Sequence, residues 1–213
     1  MLWYDSVRFV VAGGPSVAYR TEMIGREKLP AEGGYVLAPS HRSMMDIPLT
    51  AWLSRRPLRY MGKVSLFKLP IAGSFFRSLG GFAVQRDGTD RKALRDAMAM
   101  LQADEVLLVY PEGTRQRGPK IEKLQPGAAY LALRAGVPIV PVGIAGTEEI
   151  MRDHDSKIPH FGRVVMVVGD PIVTPPREGG GVVPRDQVEA LTAQLHEALQ
   201  VVFDDANERR RRG

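Results

Sequence analysis

The sequence predicts an α/β fold, a single domain with a largely parallel central sheet flanked by helices and an amphipathic helix at its N-terminus. Three observations carry that prediction. Residues 106–110 and 139–144 are apolar runs without a charge, as in strands buried on both faces. Segments between such runs repeat their apolar residues at the helical period, and strands alternating with helices build parallel sheets. At 213 residues, 44% hydrophobic and 25% charged, the chain supports one substantial core, and no internal repeat or second domain is evident.

The elements follow in order. Trp3, Val7, Val10 and Val11 lie at roughly helical spacing around Arg8, predicting a helix over 1–13 that ends near Gly13-Gly14-Pro15. It suits either the core or a membrane interface. The motif-bearing core is expected over about 33–175. Residues 35–39 after Gly33-Gly34 read as a strand, 46–54 as a helix, and 58–61 and 81–85 as further strands. Asp87-Gly88-Thr89 opens a helix to about 102, with Leu94, Ala97, Met98 and Leu101 on one face. Strand 106–110 comes next. A helix then starts at Pro126 and closes at Gly136, where proline and glycine favour the two ends. Strands 139–144 and 164–168 follow. The Pro/Gly-rich stretch 174–184 reads as a loop and 185–205 as the last helix, through Val188, Leu191, Leu195, Leu199 and Val202.

Charge is unevenly placed. Net charge is +5, but residues 1–100 carry +7 and the remainder −2. Residues 47–86 hold no acid, yet Arg55, Arg56, Arg59, Lys63, Lys68, Arg77 and Arg86 fall there. Such a stretch is either a solvated basic face or one that meets an anion. The arginines at 209–212 suit a solvating tail or a phospholipid contact. Residues 66–82 mix aromatics with Lys68 and Arg77, which fits core packing or an interfacial surface equally. No run of about 18–20 apolar residues exists, so any membrane contact is expected to be peripheral. The absence of cysteine excludes disulfides and a thiolate nucleophile. His196-Glu197 has no second histidine at zinc-helix spacing, and no nucleic-acid, phosphate-loop or dinucleotide motif is present.

The chemistry concentrates in Ser40-His41-Arg42-Ser43-Met44-Met45-Asp46-Ile47-Pro48. Pro48 is tolerated only in a helix's first turn, so the helix starts near 45–47 and His41 lies in the preceding loop. There it can fold back onto Asp46. On one continuous helix the two would point roughly 140° apart. A histidine oriented by a carboxylate is the acid–base half of a catalytic triad, and a substrate hydroxyl can supply the nucleophile. The plainer alternative has Asp46 capping its own helix. Downstream, Tyr110-Pro111-Glu112-Gly113-Thr114-Arg115 leaves a buried strand. Arg115 offers a fork for phosphate, Thr114 a hydroxyl, and Gly113 close backbone approach, while Glu112 is suited to orient Arg115 or a substrate hydroxyl. A charged surface turn is the alternative.

These segments resemble the motifs of the PlsC-like glycerolipid acyltransferases, the lysophosphatidate acyltransferase family. His41-x4-Asp46 is similar to motif I, Gly81-Phe82-Ala83-Val84-Gln85-Arg86 to motif II, residues 110–115 to motif III and Val137-Pro138-Ile139-Val140-Pro141-Val142 to motif IV. The four occur in order, and one departure is Tyr110 where phenylalanine is usual. The resemblance implies O-acyl transfer from acyl-CoA or acyl carrier protein to 1-acyl-glycerol 3-phosphate, giving phosphatidate. Glycerol 3-phosphate, another lysophospholipid or a glycolipid are alternative acceptors. It implies His41 as base, Asp46 as its partner, and Arg86, Glu112, Gly113, Thr114, Arg115 and Lys63 as acceptor-binding residues. It implies neither metal nor other cofactor, no nucleic acid, and a peripheral place on the cytoplasmic face of the membrane. A non-catalytic basic membrane- or nucleic-acid-binding module is the remote rival.

Overall fold

The computed structural model describes residues 2–84, 90–150, 160–175 and 182–212. In chain order the elements are α1 (Leu2–Arg8), a π-helical turn (Phe9–Gly13), α2 (Gly14–Ala18), β1 (Glu22–Ile24), a 3-10 turn (Arg26–Lys28), β2 (Tyr35–Pro39), α3 (Asp46–Leu53), β3 (Leu58–Lys63), α4 (Val64–Phe67), α5 (Pro70–Ser78), β4 (Gly81–Val84), α6 (Arg91–Gln102), β5 (Val106–Leu108), α7 (Gly127–Ala135), β6 (Ile139–Ala145), α8 (Thr147–Ile150), β7 (Val165–Val168) and α9 (Arg185–Arg212).

The strands form one sheet in the order β1-β7-β6-β2-β5-β3-β4. Five of them, β2 to β6, run parallel, while β7 is antiparallel to β6 and β1 parallel to β7. Strand β2 is central and wholly buried, flanked by β5 and β6. Its side chains alternate between two cores. Val36 and Ala38 pack with residues of α6, α7 and α9, such as Leu101, Ala132 and Leu199. Tyr35 and Leu37 pack with Leu49 and Leu53 of α3. The charge-free strand runs of the sequence follow from this double coverage. The β6–β7 pair is the exception to parallel order, because the chain returns to β7 without a long described helix between them.

Several elements differ from expectation. Gly13-Gly14-Pro15 does not end the N-terminal helix. A π-helical turn absorbs the irregularity, and Pro15 falls in the first turn of α2, where its missing N–H costs nothing. Gly13 lies against Trp52, whose ring atoms would be 3.0 Å from an added Cβ. The α1 segment is tied down: Tyr4 Oη accepts from Leu58 N–H at 2.9 Å, and Arg8 donates to the Ser54 carbonyl at 3.0 Å. Strand β1 and helices α4, α5 and α8 escaped the sequence reading. Two of the helices span four residues, too few to show a period, and β1 spans three. Helix α6 begins at Arg91, where Asp90 accepts from the N–H groups of Lys92 and Ala93. The expected opener, 87–89, lies outside the described residues. Helix α9 runs past 205 to Arg212.

The acid-free stretch does not form one anion-facing surface. Arg56 donates to the carbonyls of Gly33 and Asp104, and Arg59 makes a two-pronged pair with Glu105 at 2.9 and 2.5 Å. Both therefore sit where β2, β3 and β5 begin, at the opposite end of the sheet from His41. Acids and carbonyls distant in sequence supply their partners. The C-terminal arginines are likewise engaged: Arg209 pairs with Asp205, Arg210 with Glu149 and Arg212 with Glu208. No helix among the described residues is long and apolar enough to cross a membrane.

Candidate active site

Strand β2 delivers the chain to the site. At its end Ser40 is held on β6: its N–H donates to Val142 O at 2.9 Å, and its hydroxyl accepts from Ile144 N–H at 2.9 Å. Residues 41–45 then curl ahead of α3. Asp46, fully buried, is the point on which that curl closes. Its Oδ2 receives the N–H of Arg42 at 2.6 Å, the N–H of Ser43 at 2.7 Å and His41 Nδ1 at 2.9 Å. Its Oδ1 receives the Thr147 hydroxyl at 2.6 Å.

The alternative in which Asp46 caps its own helix does not describe this geometry. Met45 occupies the cap position without a side-chain cap bond, and the amides on Asp46 lie upstream in the loop. Both Asp46 oxygens are occupied as acceptors by backbone and hydroxyl donors, so the ring nitrogen beside them is a donor too. Nδ1 of His41 therefore carries the proton, which leaves Nε2 with its lone pair free. The imidazole side chain is 14% exposed, enough for a substrate atom to reach it.

The second loop arrives beside the first because β5 pairs with β2. Val109 N–H donates to Leu37 O at 3.0 Å and Gln116 N–H to His41 O at 2.9 Å, so residues 110–115 arch over the histidine loop. The Tyr110 ring stacks on the His41 imidazole, with centroids 4.0 Å apart and planes 23° apart. Its hydroxyl is buried, and so is that of Thr50. Neither has a well-aligned hydrogen-bond partner. Burial, and secondarily the Asp46 charge, holds the phenol well above its ordinary pKa, although Thr50 lies near enough to oppose the shift. Tyr110 is therefore a neutral phenol.

Glu112 turns inward. Oε1 accepts from His41 N–H at 2.8 Å, and Oε2 lies 3.3 Å from Arg42 Nη1, with both side chains essentially unexposed. Glu112 is expected to orient Arg115 or a substrate hydroxyl; at 2% exposure its carboxylate instead meets the His41 N–H and Arg42. Burial raises its pKa above the ordinary glutamate value, opposed by the His41 N–H and then by the Arg42 charge. Arg42 also donates to Lys120 O at 2.9 Å and lies 4.5 Å over the Phe203 ring of α9. The 3.3 Å contact is an ion pair without hydrogen-bond alignment, since Nη1 and Oε2 find no aligned partner.

The remaining expected residues divide. Gly113 adopts φ +75°, a left-handed conformation that permits the turn closed by its N–H to Tyr110 O at 3.0 Å. Thr114 is exposed and Arg115 half-exposed, and neither makes a side-chain hydrogen bond or ion pair among the described residues. Lys63 ends β3 at the same end of the sheet as His41, but its side chain lies outside what is described. Arg86 also lies outside the described residues. Thr147 was missed. Its signal was weak, since a threonine after Gly146 at a strand end reads as a simple helix opener. Among the described residues no group of three His, Asp or Glu side chains has metal-binding geometry.

Comparison with known proteins places this arrangement in context. The family described as Acyltransferase matches residues 20–145. A 1-acyl-sn-glycerol-3-phosphate acyltransferase of Chlamydomonas reinhardtii is 32% identical over 155 residues, covering 70% of this chain and 46% of that protein. One from Bacillus subtilis is 26% identical over 152 residues, covering 71% and 73%. A lyso-ornithine lipid O-acyltransferase of Pseudomonas aeruginosa is 28% identical over 134 residues, covering 59% and 51%. The chain thus spans about half the length of two of these three relatives. In fold it is similar to the crystal structure of the 1-acyl-sn-glycerophosphate acyltransferase PlsC from Thermotoga maritima. The TM-score is 0.74 at 22% identity, covering 93% of this chain and 78% of that one.

Proposed function

Because the chain belongs to the acyltransferase family, we propose that it moves a fatty acyl group from an acyl-CoA or acyl carrier protein thioester to the free hydroxyl of a lysophospholipid, with 1-acyl-glycerol 3-phosphate the acceptor and phosphatidate the product. The observation that carries this reading is the His41–Asp46 contact, which leaves Nε2 unprotonated at the edge of a loop whose Arg115 has no partner among the described residues. Nε2 takes the hydroxyl proton as the oxygen attacks the thioester carbonyl. The C–O bond forms, the C–S bond breaks, and the proton passes from the imidazolium to the leaving thiolate. Asp46 steadies the imidazolium throughout. Arg115, with Arg86 and Lys63, binds the acceptor phosphate, for which a guanidinium fork is well matched.

Exposed apolar side chains support the same reading. Phe9, Val10, Val11 and Val17 on the N-terminal helices are exposed, as are Met44 and Ile47 beside the histidine loop. An apolar surface next to the base suits lipid substrates drawn from a bilayer. On this proposal the chain sits peripherally, at the cytoplasmic face.

His41→Ala tests the chemistry with a labelled acyl donor and lysophosphatidate. Turnover should fall about 10²–10⁴-fold. Activity within twofold of the unmodified enzyme would sink it. A second acceptor reading is favoured by the Pseudomonas relative, whose named acceptor is an ornithine lipid. A panel of lysophosphatidate, glycerol 3-phosphate and lyso-ornithine lipid separates the two. Arg115→Ala should raise KM for the phosphorylated acceptors alone.

A further inference from the structure

Tyr110 stands where the motif it belongs to usually carries phenylalanine, and its ring lies against the histidine that the proposed reaction needs. The contact is nearly parallel, centroid on centroid at 4.0 Å. The imidazole is fixed by Nδ1 on Asp46 and by its own amide on Glu112, and the tyrosine is packed with its hydroxyl buried. An imidazole so covered on one face cannot swing about its Cβ–Cγ bond without striking the ring. The covering surface is also the negative face of an aromatic quadrupole, which attracts cations.

Resting on the acyl-transfer reading, we propose that Tyr110 is a positioning residue for His41. Its ring holds Nε2 toward the acceptor and stabilises the imidazolium that forms when the hydroxyl proton is taken. The role belongs to the ring. The hydroxyl takes no part in proton transfer, since it is buried without an aligned hydrogen-bond partner.

The consequence is a pH effect with a definite sign. His41 must be neutral to act as base, so kcat/KM falls on the acid side of its pKa. Removing a contact that favours the cation lowers that pKa and moves the acid limb to lower pH. Among the described residues, the charged groups facing the imidazole and its loop are Asp46 from α3, Arg42 beside it and Glu112 from the loop after β5, and all remain in the variants.

Tyr110→Leu should lower kcat about tenfold, the size of a desolvated cation–ring contact, with acceptor KM within twofold. Its acid limb should fall by about one pH unit, the same tenfold read as a titration. Tyr110→Phe should restore both. Progressive fluorination of a phenylalanine placed at 110 keeps the shape while weakening the ring's negative face, so kcat should drop stepwise even if the leucine variant folds poorly. The His41 titration, followed by NMR without substrate and assigned by its loss in His41→Ala, should shift down in parallel. Failure of Tyr110→Phe to restore activity would assign the effect to the hydroxyl and overturn the proposal. So would a flat fluorine series or an unmoved titration. Because the titration needs no turnover, it decides the contact separately from the acyl-transfer reading.

Discussion

Consider Glu112→Gln. The substitution keeps an amide oxygen that can still accept from His41 N–H, now at 2.8 Å, but removes the charge 3.3 Å from Arg42. Neither side chain reaches water to any useful extent, at 0% and 1% exposure. Breaking a buried pair from one side typically costs about 3–5 kcal/mol, because the other charge stays buried. Two features of this site move the expectation well below that range. Arg42 retains the Lys120 carbonyl at 2.9 Å and the Phe203 ring at 4.5 Å, and burial raises the folded-state pKa of Glu112 despite Arg42, so the pair does not repay the glutamate's desolvation. The expected change is therefore within about 1 kcal/mol of zero at pH 7. For a chain of this size each kcal/mol moves Tm by about 2–4 °C, so thermal unfolding at pH 7 should show a shift of less than roughly 4 °C. The pH dependence adds a sharper test. Because the folded-state pKa is raised, the unmodified protein gains stability at this site as pH falls through the folded pKa toward the unfolded value of about 4.3, and the glutamine variant, with no titrating group at 112, does not. The stability of the unmodified protein relative to the variant should accordingly rise as pH is lowered from 7 toward 5. A Tm fall above about 6 °C at pH 7, or a relative stability that falls in acid, refutes the reasoning.

Other expectations follow from the same geometry. Thr147→Val deletes one of the four donors on Asp46 and should lower stability by about 1.5–3 kcal/mol in urea unfolding, with kcat down about tenfold and acceptor KM unchanged. Gly113→Ala forces a side chain into φ +75° and sets its Cβ 3.1 Å from Gln125 Cγ. Gln125 is exposed and can move, so the backbone strain of about 1–2 kcal/mol should dominate the loss seen by calorimetry. Replacing exposed Phe9 and Val10 together with serine should leave Tm within about 1 °C yet weaken vesicle co-sedimentation at least about tenfold.

Much was legible in the sequence because periodicity and motif spacing are local. The runs at 35–39, 106–110 and 139–144 announced strands by lacking charge, since both faces of the sheet are covered, although the second strand ends at Leu108. Pro48 fixed where α3 begins and so placed His41 in a loop. Spacing alone identified His41, Asp46 and the 110–115 block as neighbours of strand ends. Tertiary structure decided everything that depends on partners far along the chain. It brought Thr147, 101 residues away, onto Asp46, and turned Glu112 inward to His41 and Arg42. It used Arg56 and Arg59 at the far end of the sheet, where the sequence had shown only unopposed charge. A one-dimensional pattern records which residues can carry charge or donate a proton. The parallel pairing of β2 with β5 and β6 determines which of them meet.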